Sequence, residues 1–167
     1  MYAFLKGEKE KMKKELLKID DARIIFRNFS GIASKFNREG DRNFCVVIED
    51  PNMAQQLAED GWNIKIRPPR DEGDNPFHYL PVKVKFGEYP PNVYLASGKK
   101  MVKLDEESVD CLDDVDIISV DMDIRPYDWE VNDKTGRTAY LRAIKVTQQI
   151  DRFAVNYTEE NPGDPSF

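Results

Sequence analysis

Alternation of apolar and polar residues is the feature that most limits what this chain can fold into. Beyond residue 17, short runs with a period of two follow one another along most of the chain. Such a period sends successive side chains to opposite faces of a strand, so each run predicts a half-buried β-strand. The clearest runs are "ARIIFRNF" (22–29), "FCVVIE" (44–49), "WNIKIR" (62–67) and "YLPVKVKF" (79–86).

Turn and cap signals predict the remaining elements. "NVYLAS" and "KMVKL" flank Gly98 as a hairpin, and two long strands near 116–131 and 137–150 are joined by the turn "NDKTG". Proline near its start and glycine after its end predict a short helix in "PNMAQQLAEDG". Asp105 is suited to cap a second short helix that runs to residue 115.

Many strands, tight turns and two short helices predict a mainly β fold. An OB-like Greek-key barrel fits best, because it closes its edges and accepts inserted helices. At 167 residues the chain is expected to be one domain with appendages. These are a charged N-terminal extension (1–17), which could form an exposed helix, the OB-like domain (18–157) and a flexible acidic tail (158–167).

Composition excludes several classes of protein. No apolar run approaches the ~20 residues of a membrane helix, and the N-terminal apolar stretch precedes its charges, which is the wrong order for a secretory signal. Cys45 and Cys111 are too few and too far apart for a metal site or a disulfide framework, so both are expected to be buried free thiols. We therefore expect a cytoplasmic protein without metal or cofactor.

Cationic and aromatic side chains recur together on the predicted exposed faces of four strands. A cationic groove can follow a phosphate backbone while aromatic rings stack on unpaired bases. No helix-turn-helix or basic recognition helix is evident, although a duplex reader needs an element shaped for a groove. The pattern predicts binding of single-stranded nucleic acid without sequence specificity. The candidates are Lys65, Arg67, Tyr79, Lys83, Lys85, Arg125, Tyr127, Trp129, Tyr140 and Arg142.

The opposite faces of these strands are predicted to form the core. They are Trp62, Ile64 and Ile66; Leu80, Val82, Val84 and Phe86; Ile118, Val120, Met122 and Ile124; and Ala139, Leu141 and Ala143. A polar loop could either add to the binding surface or be merely solvated; its candidates are Lys35, Phe36, Arg38, Arg42 and Phe44. Likewise, the exposed Lys and Arg could simply solubilise the sheet while Tyr and Trp plug the barrel ends.

Net charge does not decide between these interpretations. The chain carries a formal charge of −6, but the negative charge is concentrated in its last 70 or so residues. Residues 101–157 hold thirteen acidic and seven basic residues, whereas residues 23–100 hold ten acidic and twelve basic ones. A basic groove is therefore compatible with the overall balance.

Several stretches resemble the single-stranded-DNA-binding proteins encoded by bacteriophages and prophages. They are "FRNFSG" (26–31), "FNREGDRNFCVVIED" (36–50), "GWNIKIRPPRDE" (61–72), "KLDEESVDCLDDVDI" (103–117) and "IRPYDWEVN" (124–132). The resemblance spans roughly residues 18–157. It implies an OB-like fold and a protein that coats and protects single strands during phage DNA replication or recombination, in the host cytoplasm.

The final segment, "TEENPGDPSF", resembles the acidic tip of bacterial single-strand-binding proteins, although Ser166 separates Pro165 from Phe167. That resemblance implies that Asp164 and Phe167 contact replication or recombination proteins. A frayed terminus is the alternative. Self-association into a homo-oligomer stays open.

Two other functions compete with strand binding. Carboxylates hold Mg²⁺ well, and the acids of 113–123 could suggest a metal-dependent nuclease: Asp113, Asp114, Asp116, Asp121 and Asp123. No Ser/His/Asp set, P-loop or dinucleotide fingerprint accompanies them, so we expect no enzyme. The acidic balance would also suit a β-barrel interaction or virion component that does not bind DNA.

Overall fold

The computed structural model describes residues 15–68, 73 and 75–150. This part of the chain holds nine strands, one α-helix and one 3-10 helix. In chain order they are β1 (Leu17–Ala22), β2 (Ile24–Asn28), β3 (Arg42–Ile48), α1 (Pro51–Glu59), β4 (Lys65–Arg67), β5 (Phe77–Val84), β6 (Asn92–Ser97), β7 (Lys100–Leu104), the 3-10 helix (Val109–Asp113), β8 (Ile117–Val131) and β9 (Lys134–Gln148).

All nine strands belong to one sheet, in which β1, β8, β9, β5, β3 and β2 are consecutive neighbours. β4 pairs with β5, and β6 pairs with both β7 and β9. Most pairs are antiparallel, but β5 and β6 both run parallel to β9. The mainly β prediction is confirmed. The expected closure of the barrel is wrong for the described residues, because no ladder joins β1 to β2 there.

The β8–β9 hairpin is the longest feature of the sheet. Its ladder runs from Ile117 opposite Gln148 to Val131 opposite Lys134. Asn132 and Asp133 form the connection with φ of 50° and 65°, which is the backbone of a two-residue turn whose twist matches the strands. The hairpin signal is therefore confirmed, but the turn is shorter than the predicted "NDKTG".

The core lies on the inner face of this curled sheet. Phe29 and Phe44 are fully buried and stack with their ring centroids 5.2 Å apart. The predicted inward faces of β5 and β8 are largely correct: Leu80, Val82, Val84, Val120, Met122 and Ile124 are all buried. Side chains from most of the strands, α1 and the 3-10 helix pack into one cluster.

Three residues predicted for the core lie elsewhere. Ile66 is 62% exposed, because β4 has only three residues and Trp62 and Ile64 precede it rather than share its alternation. Ile118 is 63% exposed, since a register shift between Ile117 and Ser119 breaks the alternation there. A second register shift lies in β9, opposite Asp123 and Ile124. Because of it, Ile144 is fully buried and the predicted core residue Ala143 is not.

The helices only partly match expectation. α1 is as predicted, with Pro51 first and Asp50 accepting a hydrogen bond from the Asn52 N–H at 2.9 Å. The second helix, expected over 105–115, is instead one short 3-10 turn. Asp105 still stabilises the residues that precede this turn, because the Asp105 carboxylate accepts hydrogen bonds from the N–H groups of Glu107 and Ser108.

The start of the domain also differs from the sequence interpretation. β1 was not predicted, and the single strand expected over 22–29 is replaced by the end of β1 and the whole of β2. Residues 1–14 lie outside the described residues, so the N-terminal helix stays a prediction.

Trp62 is buried beside α1 and β9 and offers a test of the core. Replacing it with alanine should lower the free energy of unfolding by about 3–5 kcal/mol, because a large ring is removed from a packed site. Urea denaturation followed by circular dichroism measures this change. Ile118→Ala, which truncates an exposed side chain, should change stability by less than about 0.5 kcal/mol. Equal stabilities of the two variants would contradict the core position of Trp62.

Candidate nucleic-acid interface

A row of polar, cationic and aromatic side chains crosses the outer face of four strands. Strand register places Asn43 of β3 opposite Lys83 of β5, Lys83 beside Tyr140 of β9, and Tyr140 opposite Arg125 of β8. Adjacent strands lie about 4.8 Å apart, so the four side chains form a continuous band. Residues far apart in the sequence are thus brought together by pairing alone.

Direct contacts order the aromatic part of this band. The Arg125 guanidinium carbon lies 5.1 Å from the Tyr140 ring centroid, within cation–π range. Tyr127 meets Tyr140 edge to face with centroids 5.9 Å apart. The three side chains therefore form one cationic and aromatic cluster on the outer face.

Two adjoining depressions follow the band. The larger, about 740 Å³, is lined by β3, β5 and the loop after β2, and the smaller, about 330 Å³, by β8, β9 and the segment after β5. Lys85 and Tyr140 line both of them. The two depressions therefore adjoin at these residues, and together they are called the groove.

Trp129 extends the outer face onto the hairpin. The alternation survives Pro126, which points inward and is buried, so Arg125, Tyr127 and Trp129 share one side as predicted. Trp129 pairs with Gly136, and its indole lies directly over that glycine, where any side chain would collide with it. Trp129 remains 38% exposed, so its ring is held against Gly136 and stays partly accessible.

The hairpin is braced against the body of the domain on its other side. Asp128 and Arg137 form a two-pronged ion pair with N–O distances of 2.7 and 3.2 Å. The Arg137 guanidinium also lies 5.3 Å from the buried ring of Trp62. These contacts fix the orientation of Tyr127 and Trp129, which lie on the opposite side.

β4 brings a second cluster to the other end of the groove. Lys65 pairs with Tyr79, and Arg67 lies 5.2 Å from the ring of Phe26. Phe26 in turn meets Tyr79 edge to face at 5.8 Å. Phe26 also lines the larger depression, so this cluster adjoins the band.

Nine of the ten predicted site residues therefore lie on or beside one face. Arg142 is the exception, because it is the extra residue of the register shift in β9, where the partner strand changes from β5 to β6. Lys65, Arg67, Tyr79 and Trp129 also lie outside the lining of the two depressions, but they flank it, whereas Arg142 is exposed next to the part of β9 that pairs with β6. The tail residues Asp164 and Phe167 lie outside the described residues.

Sequence reasoning missed Phe26 altogether and left Phe36 undecided. Phe26 was expected to lie in an ordinary strand, and its positive φ of 53° had no signal in the sequence. Phe36 lies in a polar loop and is 92% exposed. The sequence offered one clue to its role: a solvated loop does not need a large aromatic residue between Lys35 and Asn37.

Cys45 lies on the outer face of β3 and lines the larger depression. Burial raises the pKa of its thiol to about 11, and the nearby charge of Lys65 offsets only part of that effect. Cys45 is a free thiol, as predicted, but it is partly accessible rather than fully buried. Burial also raises the pKa of Cys111, with nearby aspartates adding to the effect.

Two of the carboxylates behind the nuclease alternative have partners within the protein. Asp113 accepts hydrogen bonds from the N–H groups of Phe29 and Ser30 at 2.7 and 3.0 Å and from the Ser30 hydroxyl at 2.6 Å. Asp121 accepts from the Asp21 N–H and lies 3.6 Å from the Lys145 ammonium. No group of three potential metal ligands occurs within the described ranges.

Membrane insertion finds no support in the helices. Within residues 15–68, 73 and 75–150, none is both long enough and apolar enough to span a bilayer.

Comparisons with known proteins show what this chain is similar to. The profile of the phage ssDNA-binding domain family matches residues 7–163. The chain is similar to the single-stranded DNA-binding protein from bacteriophage Enc34, C-terminal truncation, at 11% identity and a TM-score of 0.52, covering 81% of this chain and 87% of that chain. This match shows a shared, OB-like fold. A search of curated proteins found no match.

Two further solved structures are similar to this chain with TM-scores below 0.5. The Enc34 protein in complex with ssDNA matches at 12% identity and a TM-score of 0.47, covering 83% of this chain and 89% of that chain. The gp2.5 single-stranded DNA binding protein encoded by bacteriophage T7 matches at 11% identity and 0.40, covering 92% and 97%.

The pKa of Cys45 has a direct kinetic consequence. Only the thiolate is alkylated, so in a Cys111→Ser background the iodoacetamide reaction should speed up about tenfold per pH unit from about pH 7 to about pH 9.5. A free thiol, with a pKa near 8.5, levels off within that range and serves as the control. Levelling off of the protein near pH 8.5 would show that burial does not protect Cys45.

Proposed function

The chain belongs to the phage single-stranded-DNA-binding domain family, and on that premise we propose that the groove across β3, β5, β9 and β8 holds the DNA strand. One observation carries the proposal: strand pairing sets Lys83, Tyr140 and Arg125 side by side. Cations and rings thus alternate along the groove in which the DNA strand would lie. The protein coats and protects single strands in this way during phage DNA replication or recombination.

The chemistry of the groove suits a strand whose bases are unpaired. Lys83, Lys85 and Arg125 supply charge for phosphates and Tyr127 and Tyr140 supply rings along the groove, while Tyr79 and Trp129 add rings beside it. Stacking of a base on an aromatic side chain is worth roughly 1–3 kcal/mol and is available to every base, because each has a π-face. Binding is therefore tolerant of sequence. Duplex bases stack on one another and leave no face for these rings.

The acidic balance of the chain does not conflict with this role. Asp128 is neutralised by Arg137 on the side of the hairpin opposite Trp129. Asp121 and Asp123 lie where β8 pairs with β1, and they line a separate depression with Asp20 and Lys145. Beyond them, the outer face of β8 carries Arg125, Tyr127 and Trp129, while Asp128 and Glu130 alternate onto its other side. On the outer face of β8, the acids therefore come before Arg125 and none follows it.

We further infer that residues 158–167 recruit replication or recombination proteins. Their composition supports this inference, because three acids keep the segment solvated and Phe167 is its one large apolar side chain. A pocket on a partner would recognise that ring first. Asp164 adds charge for a basic rim around such a pocket.

Fluorescence anisotropy with labelled oligo(dT) and a matched duplex tests the groove. We expect much tighter binding to the single strand, with a log–log salt slope of about −0.7 per phosphate contacted. Lys83→Ala should reduce the magnitude of that slope by about 0.7. Lys103→Ala, on β7, is the matched control and should leave it unchanged. Equal affinity for duplex and single strand would contradict the proposal.

A deletion of residues 158–167 tests the recruitment role separately. Affinity for oligo(dT) should stay the same or rise modestly at low salt, because three negative charges are removed and their effect is screened as salt increases. Pull-down of host replication proteins should weaken, and Phe167→Ala should reproduce most of that loss. Loss of DNA binding in the deletion would show that the segment belongs to the strand-binding domain instead.

A further inference from the structure

Two phenylalanines outside the predicted set line the larger depression. Phe26 comes from β2 and Phe36 from the loop that follows it, and the same depression contains Lys83 and Tyr140. Both rings are more than half exposed, at 51% and 92%. Exposed aromatic rings in the wall of a groove point to a ligand with an apolar face.

The backbone at Phe26 is unusual for so large a residue. Its φ of 53° lies in the left-handed region, which a bulky side chain seldom enters. A register shift between Ile25 and Asn28 accommodates this conformation within the β2–β3 ladder. The ring is then held from two sides, by Arg67 at 5.2 Å and by Tyr79 at 5.8 Å. Such outliers persist where the surroundings fix them and are concentrated at binding sites.

The loop that carries Phe36 is internally braced. The Asn37 side-chain amide donates to the carbonyls of Ile32, Arg38 and Asp41 at 2.9–3.0 Å. Backbone bonds between Ser34 and Asn37, and from the Gly40 N–H to the Gly31 carbonyl at 2.8 Å, close the loop on itself. Phe36 is therefore presented from a defined backbone, so its ring requires little ordering when a ligand binds.

We propose that Phe26 and Phe36 form a stacking subsite for an unpaired nucleobase. This inference rests on the proposed function, because it places one base of the bound single strand in the larger depression. The Lys35 ammonium lies 5.9 Å from the Phe36 ring centroid, and it supplies charge for the phosphate of that nucleotide. The strand then continues past Lys83 and Tyr140 into the smaller depression.

The subsite binds a base through its face. Three asparagines line the depression and could hydrogen-bond the edge of a base, but their amide nitrogens donate within the protein. Asn28 donates to the Ile32 carbonyl, and Asn43 donates to the Asn37 side chain and the Asp41 carbonyl. Asn37 donates to carbonyls of its own loop. Stacking on the two rings accepts purines and pyrimidines alike, because every base has a π-face.

Photo-crosslinking gives the direct test. Oligo(dT) with 5-iodouracil at single positions is bound to the full-length protein and irradiated, and the attached peptides are identified by mass spectrometry. Crosslinks to Phe26 or Phe36 are expected at one or more positions. Crosslinks confined to other residues would overturn the subsite while leaving the groove in place.

Affinity measurements separate stacking from charge. Phe36→Ala, and Phe26→Asn, which suits a left-handed backbone, should each weaken oligo(dT) binding roughly 5- to 100-fold. Binding of an abasic oligonucleotide of the same length, and the salt slope, should not change. Met101→Ala on β7, which removes an exposed apolar side chain away from the groove, is the matched control.

The possible failures are distinguishable. Variants that bind oligo(dT) like the wild type, or that lose abasic and oligo(dT) affinity equally, would overturn the stacking subsite alone. A wild-type protein that binds neither oligonucleotide would overturn the proposed function as well. Circular dichroism melting checks each variant, and if Phe26→Asn fails to fold, Phe36→Ala and the wild-type crosslinks still decide the matter.

Discussion

The β8–β9 ladder is the interaction on which the rest of the structure depends. These two fifteen-residue strands pair along their whole length, and β9 also carries β5 and β6 on its other edge while β8 carries β1. One hairpin thus sets the positions of both halves of the sheet. Because its turn has only two residues, the register is fixed locally, and it places Tyr140 beside Arg125 at the centre of the groove.

Irregularities in this regular frame create the groove. The register shift in β9 marks the point where its neighbour changes from β5 to β6, and the shift in β2 turns Phe26 outward at a positive φ. Bulges redirect side chains at the cost of local pairing, and they are common beside binding sites. An ideal sheet with the same residues would present neither Phe26 nor the change of partner along β9.

Acidic and basic side chains have different surroundings in this domain. Ion pairs offset the charges of Asp121 and Asp128, and hydrogen bonds hold Asp113 within the domain, whereas Lys83, Lys85 and Arg125 face the groove. A net negative protein can therefore bind a polyanion, since the local field at the groove matters more than the total charge. The Arg125 guanidinium also lies over the Tyr140 ring, which couples the charge of the groove to its aromatic wall.

The sequence by itself determined most of the strands after β2, α1, the hairpin and the outward side of Arg125, Tyr127 and Trp129, because alternation and turn chemistry are local. It could not determine which strands are neighbours, since pairing joins residues far apart in the chain. Only the tertiary structure decided that Lys83, Tyr140 and Arg125 meet, that Arg142 lies apart, and that Ile66 and Ile118 are exposed. Phe26 needed the structure for the same reason: its backbone is set by a bulge against β3 and by the side chains of β4 and β5, contacts that no local pattern encodes.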